Sequence, residues 1–296
     1  MPESDIDVAA AKRRFQRAAA TYGDVSVLAR EVERRMQERL QYIRHVPRRL
    51  LDAGCGPGDG MALLRKCFPE AGLIGLDIAP AMAQLARRAR TLLARTRELL
   101  SGAGCSYVCA DLARLPLAPG CVGMVWSNLA LGWAADARAA LAEFGRVLEP
   151  QGLLMFSTYG PDTLKELRSS FAKVDGYAHV HRFIDMHDLG DMLVSAGFAD
   201  PVMDMEIVTL AYADISGLAR DLRLSGQSNV HPARRRGLMA PGAWAGMGAE
   251  YESLRRDQRL PATFEIVYGH AWKRDARPRQ DGPQVVKLTF ARGRAR

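Results

Sequence analysis

The sequence predicts an α/β protein: a doubly wound, mostly parallel, seven-stranded sheet with helices on both faces. Two helices precede the sheet, and a helical insertion precedes its last strand. Three observations carry this. From Arg49 to about Tyr159, apolar runs of strand length alternate with helical stretches. Gly, Asp and Pro bound each run. The chain of 296 residues, 48% hydrophobic and 25% charged, has the size and balance of a protein with one sizeable core.

Residues 5–44 read as two helices that break near Tyr22-Gly23-Asp24. In the second, Val25, Leu28, Val32, Met36, Leu40 and Ile43 recur at spacings of three and four, so the Arg and Glu positions between them are expected to be solvated. Then LLDAG leads into a helix after Gly58, and GLIGLD into a helix from Pro80. CSYVCAD, CVGMVWSN and GLLMFSTY are the next strands, with a helix from about Ala134 before the last of them. Strands joined by such crossovers lie parallel. Beyond Pro161 the pattern predicts a helix near 162–172, a loop with His179-Val180-His181-Arg182-Phe183, a helix from Met186 to Ala196 and a strand at 202–211. A helix at 214–224, an irregular segment at 225–242, a helix to about Arg256 and the strand TFEIVYGHAW complete the chain. The expected organisation is a helical substrate-site cap at 1–48, the sheet domain at 49–272 with an insertion at about 212–259, and a basic, disordered tail at 273–296.

The glycines of Asp52-Ala53-Gly54-Cys55-Gly56-Pro57-Gly58 follow the first strand. They permit positive φ and close approach of backbone to a ligand, at the strand end where doubly wound sheets bind ligands. The second strand ends at Asp77, whose carboxylate suits the two hydroxyls of a ribose. The third ends at Asp111. Such spacing alone fits a dinucleotide site as well as S-adenosylmethionine, and each acid alone fits a helix cap or strand end.

Taken in order, LDAGCGPG, GLDIAPAM, CADLARLPL, VWSNLALGW and EFGRVLEPQGLLMFST resemble the class I S-adenosylmethionine-dependent methyltransferases, whose sheet is Rossmann-like, over about residues 50–160. The resemblance implies S-adenosylmethionine as cofactor. It assigns Asp52, Gly54, Gly56 and Gly58 to the methionine end and Asp77 to the ribose, with Ile78 also in the cofactor set. Asp111 and the Leu112 backbone fall at the adenine edge, and Asn128 and Leu129 line the transfer site. One departure is Glu149-Pro150-Gln151-Gly152, where the family usually shows a Pro-Gly-Gly turn; Gln151 still suits a turn.

RRFQRAAATY near the start, HVHRFIDMHDLGDMLVSAGFADPVMDMEIVTLAY, LARDLRLSGQSNVHPARRRGL and LPATFEIVYGHAW extend the likeness to about 12–273. They resemble the biotin-pathway malonyl-acyl-carrier-protein O-methyltransferases. That implies methyl transfer to the free carboxylate of a malonyl thioester on an acidic acyl-carrier protein. Such a carboxylate is already ionised at pH 7, so the chemistry needs positioning rather than a base. Two residues are candidates for contacting it: Arg182 as a bidentate partner and Tyr22 as a hydrogen-bond donor. The bland readings are an ion pair of Arg182 with Asp185 or Asp188 and a packing role for Tyr22. Arg234-Arg235-Arg236 is the candidate docking cluster.

Other classes stay open on sequence alone. Relatives with the same core hydroxylate an arginine of a respiratory-complex subunit, and a non-catalytic assembly factor of similar fold is a third reading. RNA methylation is favoured only by the net charge of +8, of which residues 273–296 supply +6 through eight Lys/Arg against two Asp. No nucleic-acid partner is expected. His179, His181, His187 and His270 lack zinc-site spacing and read as packing or surface residues, so no metal is expected. Five cysteines without a CxxC pair read as buried free thiols. No signal peptide or membrane-spanning run is visible, and the expected location is cytoplasmic.

Overall fold

The computed structural model describes residues 5–89 and 103–275. Residues 276–296, most of the basic tail, lie outside them. Three helices open the chain: α1 (Val8–Ala18), a single turn α2 (Tyr22–Val25) and α3 (Val27–Leu40). The sheet elements follow as β1 (Arg49–Ala53), α4 (Asp59–Cys67), β2 (Gly72–Asp77), α5 (Pro80–Arg88), β3 (Cys105–Cys109) and β4 (Val122–Ser127). Then come a 3-10 turn (Leu131–Trp133), α6 (Ala137–Val147), β5 (Leu148–Tyr159), α7 (Lys165–Ala172) and α8 (Met186–Ser195). β6 (Phe198–Tyr212), α9 (Ile215–Leu224), α10 (Pro241–Glu252) and β7 (Leu260–Lys273) finish the fold.

The seven strands lie in the order β3-β2-β1-β4-β5-β7-β6. β1 to β5 pair in parallel, and β7 runs antiparallel between β5 and β6. The order reverses between β1 and β4, the switch point at which doubly wound sheets open a crevice. Strand alternation covers both faces. Leu50, Met124, Trp126, Leu153 and Met155 join Val32 and Met36 of α3 and Leu64 of α4 in one core. Their neighbours Leu51, Val125, Leu154 and Phe156 join Phe144 of α6 and Leu189 and Leu193 of α8 in the other.

Several boundaries move for local reasons. The helix expected from about Ala134 starts at Ala137, because the side chain of Asp136 accepts from the Ala139 N–H at 3.0 Å and caps it there. β6 begins at Phe198 rather than 202; its register shifts between Ala199 and Val202, around Asp200 in the left-handed region at φ 48°. Gln151 holds φ 60°, so the turn forms where a glycine was absent. Cysteine burial also differs from expectation: Cys55 is buried, but Cys109 is exposed and Cys67, Cys105 and Cys121 are partly so.

The N-terminal segment is tied into the insertion. The Asp7 N–H donates to the Val230 carbonyl at 3.0 Å, Thr21 Oγ1 to the Leu224 carbonyl at 2.8 Å, and Arg234 pairs with Asp7 at 3.0 Å. No helix among the described residues is long and apolar enough to cross a membrane.

Candidate functional site

The site grows from the turn after β1. The N–H groups of Gly54 and Cys55 both donate to the Leu76 carbonyl, at 2.7 and 2.9 Å, which locks the turn to β2. The three glycines there do different jobs. At Gly54 (φ 90°) a Cβ would lie 2.2 Å from that of Ala130, so the residue permits a close approach of two loops. At Gly58 (φ 100°) it would meet Ala86 of α5 at 3.0 Å. Only at Gly56 (φ 50°) would a Cβ enter open space. Gly56 therefore leaves room for a ligand, whereas Gly54 and Gly58 serve backbone geometry and packing.

Asp77, at the end of β2, is buried and accepts from the Gly56 N–H at 3.0 Å and the Ala79 N–H at 2.8 Å. Burial raises its carboxyl to about pKa 6, against the lowering effect of those two donors. Asp52 is buried with its Oδ2 lacking any hydrogen-bond partner among the described residues. Burial, then the charges of Glu33 and Asp77, push its pKa well above the usual carboxylate range. Glu33 is the residue the sequence reading missed. Periodicity predicts a solvated position on α3, yet it is 7% exposed, accepts a hydrogen bond from the Trp126 indole at 3.3 Å, and is raised by burial to about pKa 7. The available signal was its place beside Val32 at the edge of the apolar stripe.

Buried acids with an orphaned oxygen suit a positively charged ligand; Arg30, which lines the same space, is exposed and donates to the Gly23 carbonyl and the Ser26 hydroxyl rather than to these acids. The acids line two adjoining cavities. Buried Glu33 and Asp52 and exposed Asp59 share one with Tyr22, Gly54, Gly56 and Asn128; those last four also line its neighbour, together with Asp77, Ile78, Asp111, Leu112 and Leu129. The structure thus brings together every candidate for the cofactor except Gly58, which stands behind the turn. Asp111 accepts from the Ala113 N–H at 2.9 Å. Asn128 is fixed from both ends: its Nδ2 donates to the Ala29 carbonyl at 2.9 Å and its Oδ1 accepts from Ser157 at 2.8 Å. Leu129 takes φ 51°, a costly conformation held by its N–H bonds to the carbonyl and hydroxyl of Ser157, at 3.1 and 3.0 Å. The Tyr22 hydroxyl is raised by burial and then by Asp77, Glu33 and Asp59, so it stays protonated as a donor.

A third cavity, about 190 Å³ and mostly apolar, meets the second at Trp133 and Gln227, which line both. Its walls come from α7, from the loop 179–183 and from the insertion, including Leu218, Leu222 and Trp244. Tyr159 donates to Gln227 Oε1 at 3.0 Å across the junction.

Arg182 is not brought into this arrangement. Its side chain is exposed and lines a separate cavity with Asp136 and Arg138, while its backbone N–H donates to Asp5 at 3.3 Å. His179, Val180, His181 and Phe183 line the apolar cavity and Arg182 does not, while Phe183 also lines the cavity of Arg182. Asp185, one of the two acids of the bland reading, caps α8 by accepting from the His187 N–H at 2.8 Å. The Arg234-Arg235-Arg236 run is also largely spent within the chain. Arg234 holds Asp7 and two carbonyls, and Arg235 lies over the Tyr177 ring.

Comparison with known proteins bears on this geometry. A family described as "Methyltransferase domain" matches residues 51–156. A malonyl-acyl-carrier-protein O-methyltransferase of Laribacter hongkongensis is 52% identical, over 95% of this chain and 96% of its own length. One from Gallionella capsiferriformans is 50% identical over 98% and 99%. Among solved structures, the YcgJ protein of a Bacillus species shares the fold at TM-score 0.56 with 13% identity, covering 81% of this chain and 98% of its own.

Proposed function

The chain belongs to the malonyl-acyl-carrier-protein O-methyltransferases, and on that premise we propose that it methylates the free carboxylate of a malonyl thioester held on an acyl-carrier protein. It is an S-adenosylmethionine-dependent methyltransferase. The product ester hides a charge, so that chain-elongating enzymes accept the group as a step toward biotin. The observation that best supports the reading is the junction at Trp133 and Gln227, where an acid-lined cavity meets an apolar one.

The division of labour follows from charge. Asp52 and Glu33 would face the cationic methionine end of the cofactor, Asp77 the ribose, and Asp111 with Leu112 the adenine. The bound cofactor supplies an electrophilic methyl group. The acceptor carboxylate arrives ionised, so the protein holds an oxygen in line with that methyl and excludes water. Asn128 and Leu129, clamped by Ser157, would line the methyl-donor side of that junction. Tyr22 would offer a protonated hydroxyl on the same side.

An acidic carrier protein fits the outer face of α1. Arg13 and Arg17 are exposed, Arg14 is partly buried beside them and Arg234, and none of the three α1 arginines has an acidic partner within ion-pair distance among the described residues. This patch replaces the run at 234–236 as the docking candidate.

The test is intact-mass analysis of malonyl-carrier protein and acetyl-carrier protein after incubation with enzyme and cofactor. The malonyl form should gain one methylene and the acetyl form nothing. Equal gain on both would place the methyl on the carrier rather than on the malonyl carboxylate.

A further inference from the structure

The apolar cavity is lined by one polar side chain that no described residue satisfies. His181 is 3% exposed, and neither ring nitrogen has a hydrogen-bond partner among the described residues. Its ring packs edge-on to Trp133 at 4.9 Å and Phe183 at 4.6 Å, and all three line the cavity. The nearest acid is already engaged: Asp5 takes His231 Nε2 at 3.2 Å and the Arg182 N–H at 3.3 Å. Leaving a donor and an acceptor buried and unmet is costly, so such a group points to a partner that arrives from outside. His179, two residues earlier, shows the contrast. It stacks on Phe171 and bonds Asp175 at 2.7 Å, the satisfied packing histidine that His181 is not.

His181 stands one ring away from the cofactor cavity, because Trp133 lines both spaces. We propose that His181 donates a hydrogen bond to the thioester carbonyl oxygen of the acyl substrate, fixing the malonyl group so that its far carboxylate meets the methyl donor. The inference rests on the reaction proposed above. A donor on the attacking carboxylate would draw charge from the nucleophile, whereas one on the carbonyl positions the substrate without that loss. Burial lowers the imidazole to about pKa 4, so it enters neutral with a single N–H to give.

The test compares His181→Phe, which keeps a ring in the aromatic nest but removes both nitrogens, with His181→Asn, which keeps a donor. The readouts are kcat/KM for malonyl-carrier protein, cofactor affinity by calorimetry and thermal stability. His181→Phe should lose about 10- to 100-fold in kcat/KM, with cofactor affinity and stability preserved, and His181→Asn should recover part of the loss. Parent-level kcat/KM in His181→Phe, or loss of cofactor affinity in step with activity, would overturn the assignment. The parent enzyme is the control that separates the two claims. If it does not methylate malonyl-carrier protein, the reaction itself fails and the role of His181 falls with it.

Discussion

Glu33 of α3 and Asp52 of β1 converge over the bare Cα of Gly60: a Cβ built there would lie 2.4 Å from Glu33 Oε1 and 2.9 Å from Asp52 Oδ2. Burial raises both carboxyls, with the charge of Asp59 adding to the rise at Glu33 and those of Glu33 and Asp77 to the rise at Asp52. For Glu33 the rise is from 4.5 to about 7, so the folded cofactor-free chain holds a proton that the unfolded chain has lost. Stability is then full below the unfolded value and declines as pH rises through the folded one.

The cofactor-free protein should therefore melt at a lower temperature as pH rises from about 5 to about 8, and Glu33→Gln should flatten much of that slope, worth about 3 kcal/mol at most. Added S-adenosylmethionine should restore more stability to the parent at the higher pH than at the lower. Scanning fluorimetry across that range checks both. A slope identical in parent and Glu33→Gln would remove Glu33 from the account.

The glycine turn separates binding from folding. Gly56→Ala projects a methyl into open space and should weaken cofactor binding about tenfold or more, at a backbone cost of about 1–2 kcal/mol from its positive φ. Gly54→Ala drives a methyl onto Ala130 and should impair the fold itself. Calorimetry and melting curves on both variants decide the matter; equal loss of stability in the two would contradict it.

Arg182 points away from the junction, so Arg182→Ala should keep kcat/KM for malonyl-carrier protein near that of the parent. Steady-state kinetics with unchanged cofactor affinity as a control is the check. A fall of about 100-fold would mean that the loop brings the guanidinium to the substrate when the carrier binds.

Carrier docking by α1 predicts a salt-sensitive KM. Combined replacement of Arg13, Arg14 and Arg17 by Ala should raise KM at low salt, leave kcat close to the parent and reduce the salt dependence. An unchanged KM at low salt would move the docking surface elsewhere.

The candidate cofactor wall was legible because its chemistry is local. Asp52, Asp77 and Asp111 each sit at or just beyond a strand end, where topology alone directs them to one edge, and the glycines follow at once. Glu33 was hidden because a helix ahead of the sheet supplies it rather than a strand end, and one-dimensional periodicity reads a charge beside an apolar stripe as solvated. The surroundings of Arg182 and His181 were not legible for a related reason. A charge in a loop reads as a candidate ligand group, but the loop's path, which leaves Arg182 exposed and lines the apolar cavity with His181, depends on contacts remote in the chain. The arginines at 234 and 235 looked free because the acid and the ring they meet, Asp7 and Tyr177, are remote in the chain.

The central claim is that this chain esterifies a malonyl carboxylate, and the chemical nature of the new bond tests it most directly. Malonyl-carrier protein should be incubated with the enzyme and cofactor carrying a labelled methyl group, then treated with mild base. A carboxyl methyl ester is cleaved there, so the account predicts that the transferred label is released as volatile methanol. Label that stays on the protein after base, as an N-methyl or S-methyl group would, or no transfer at all, would contradict it.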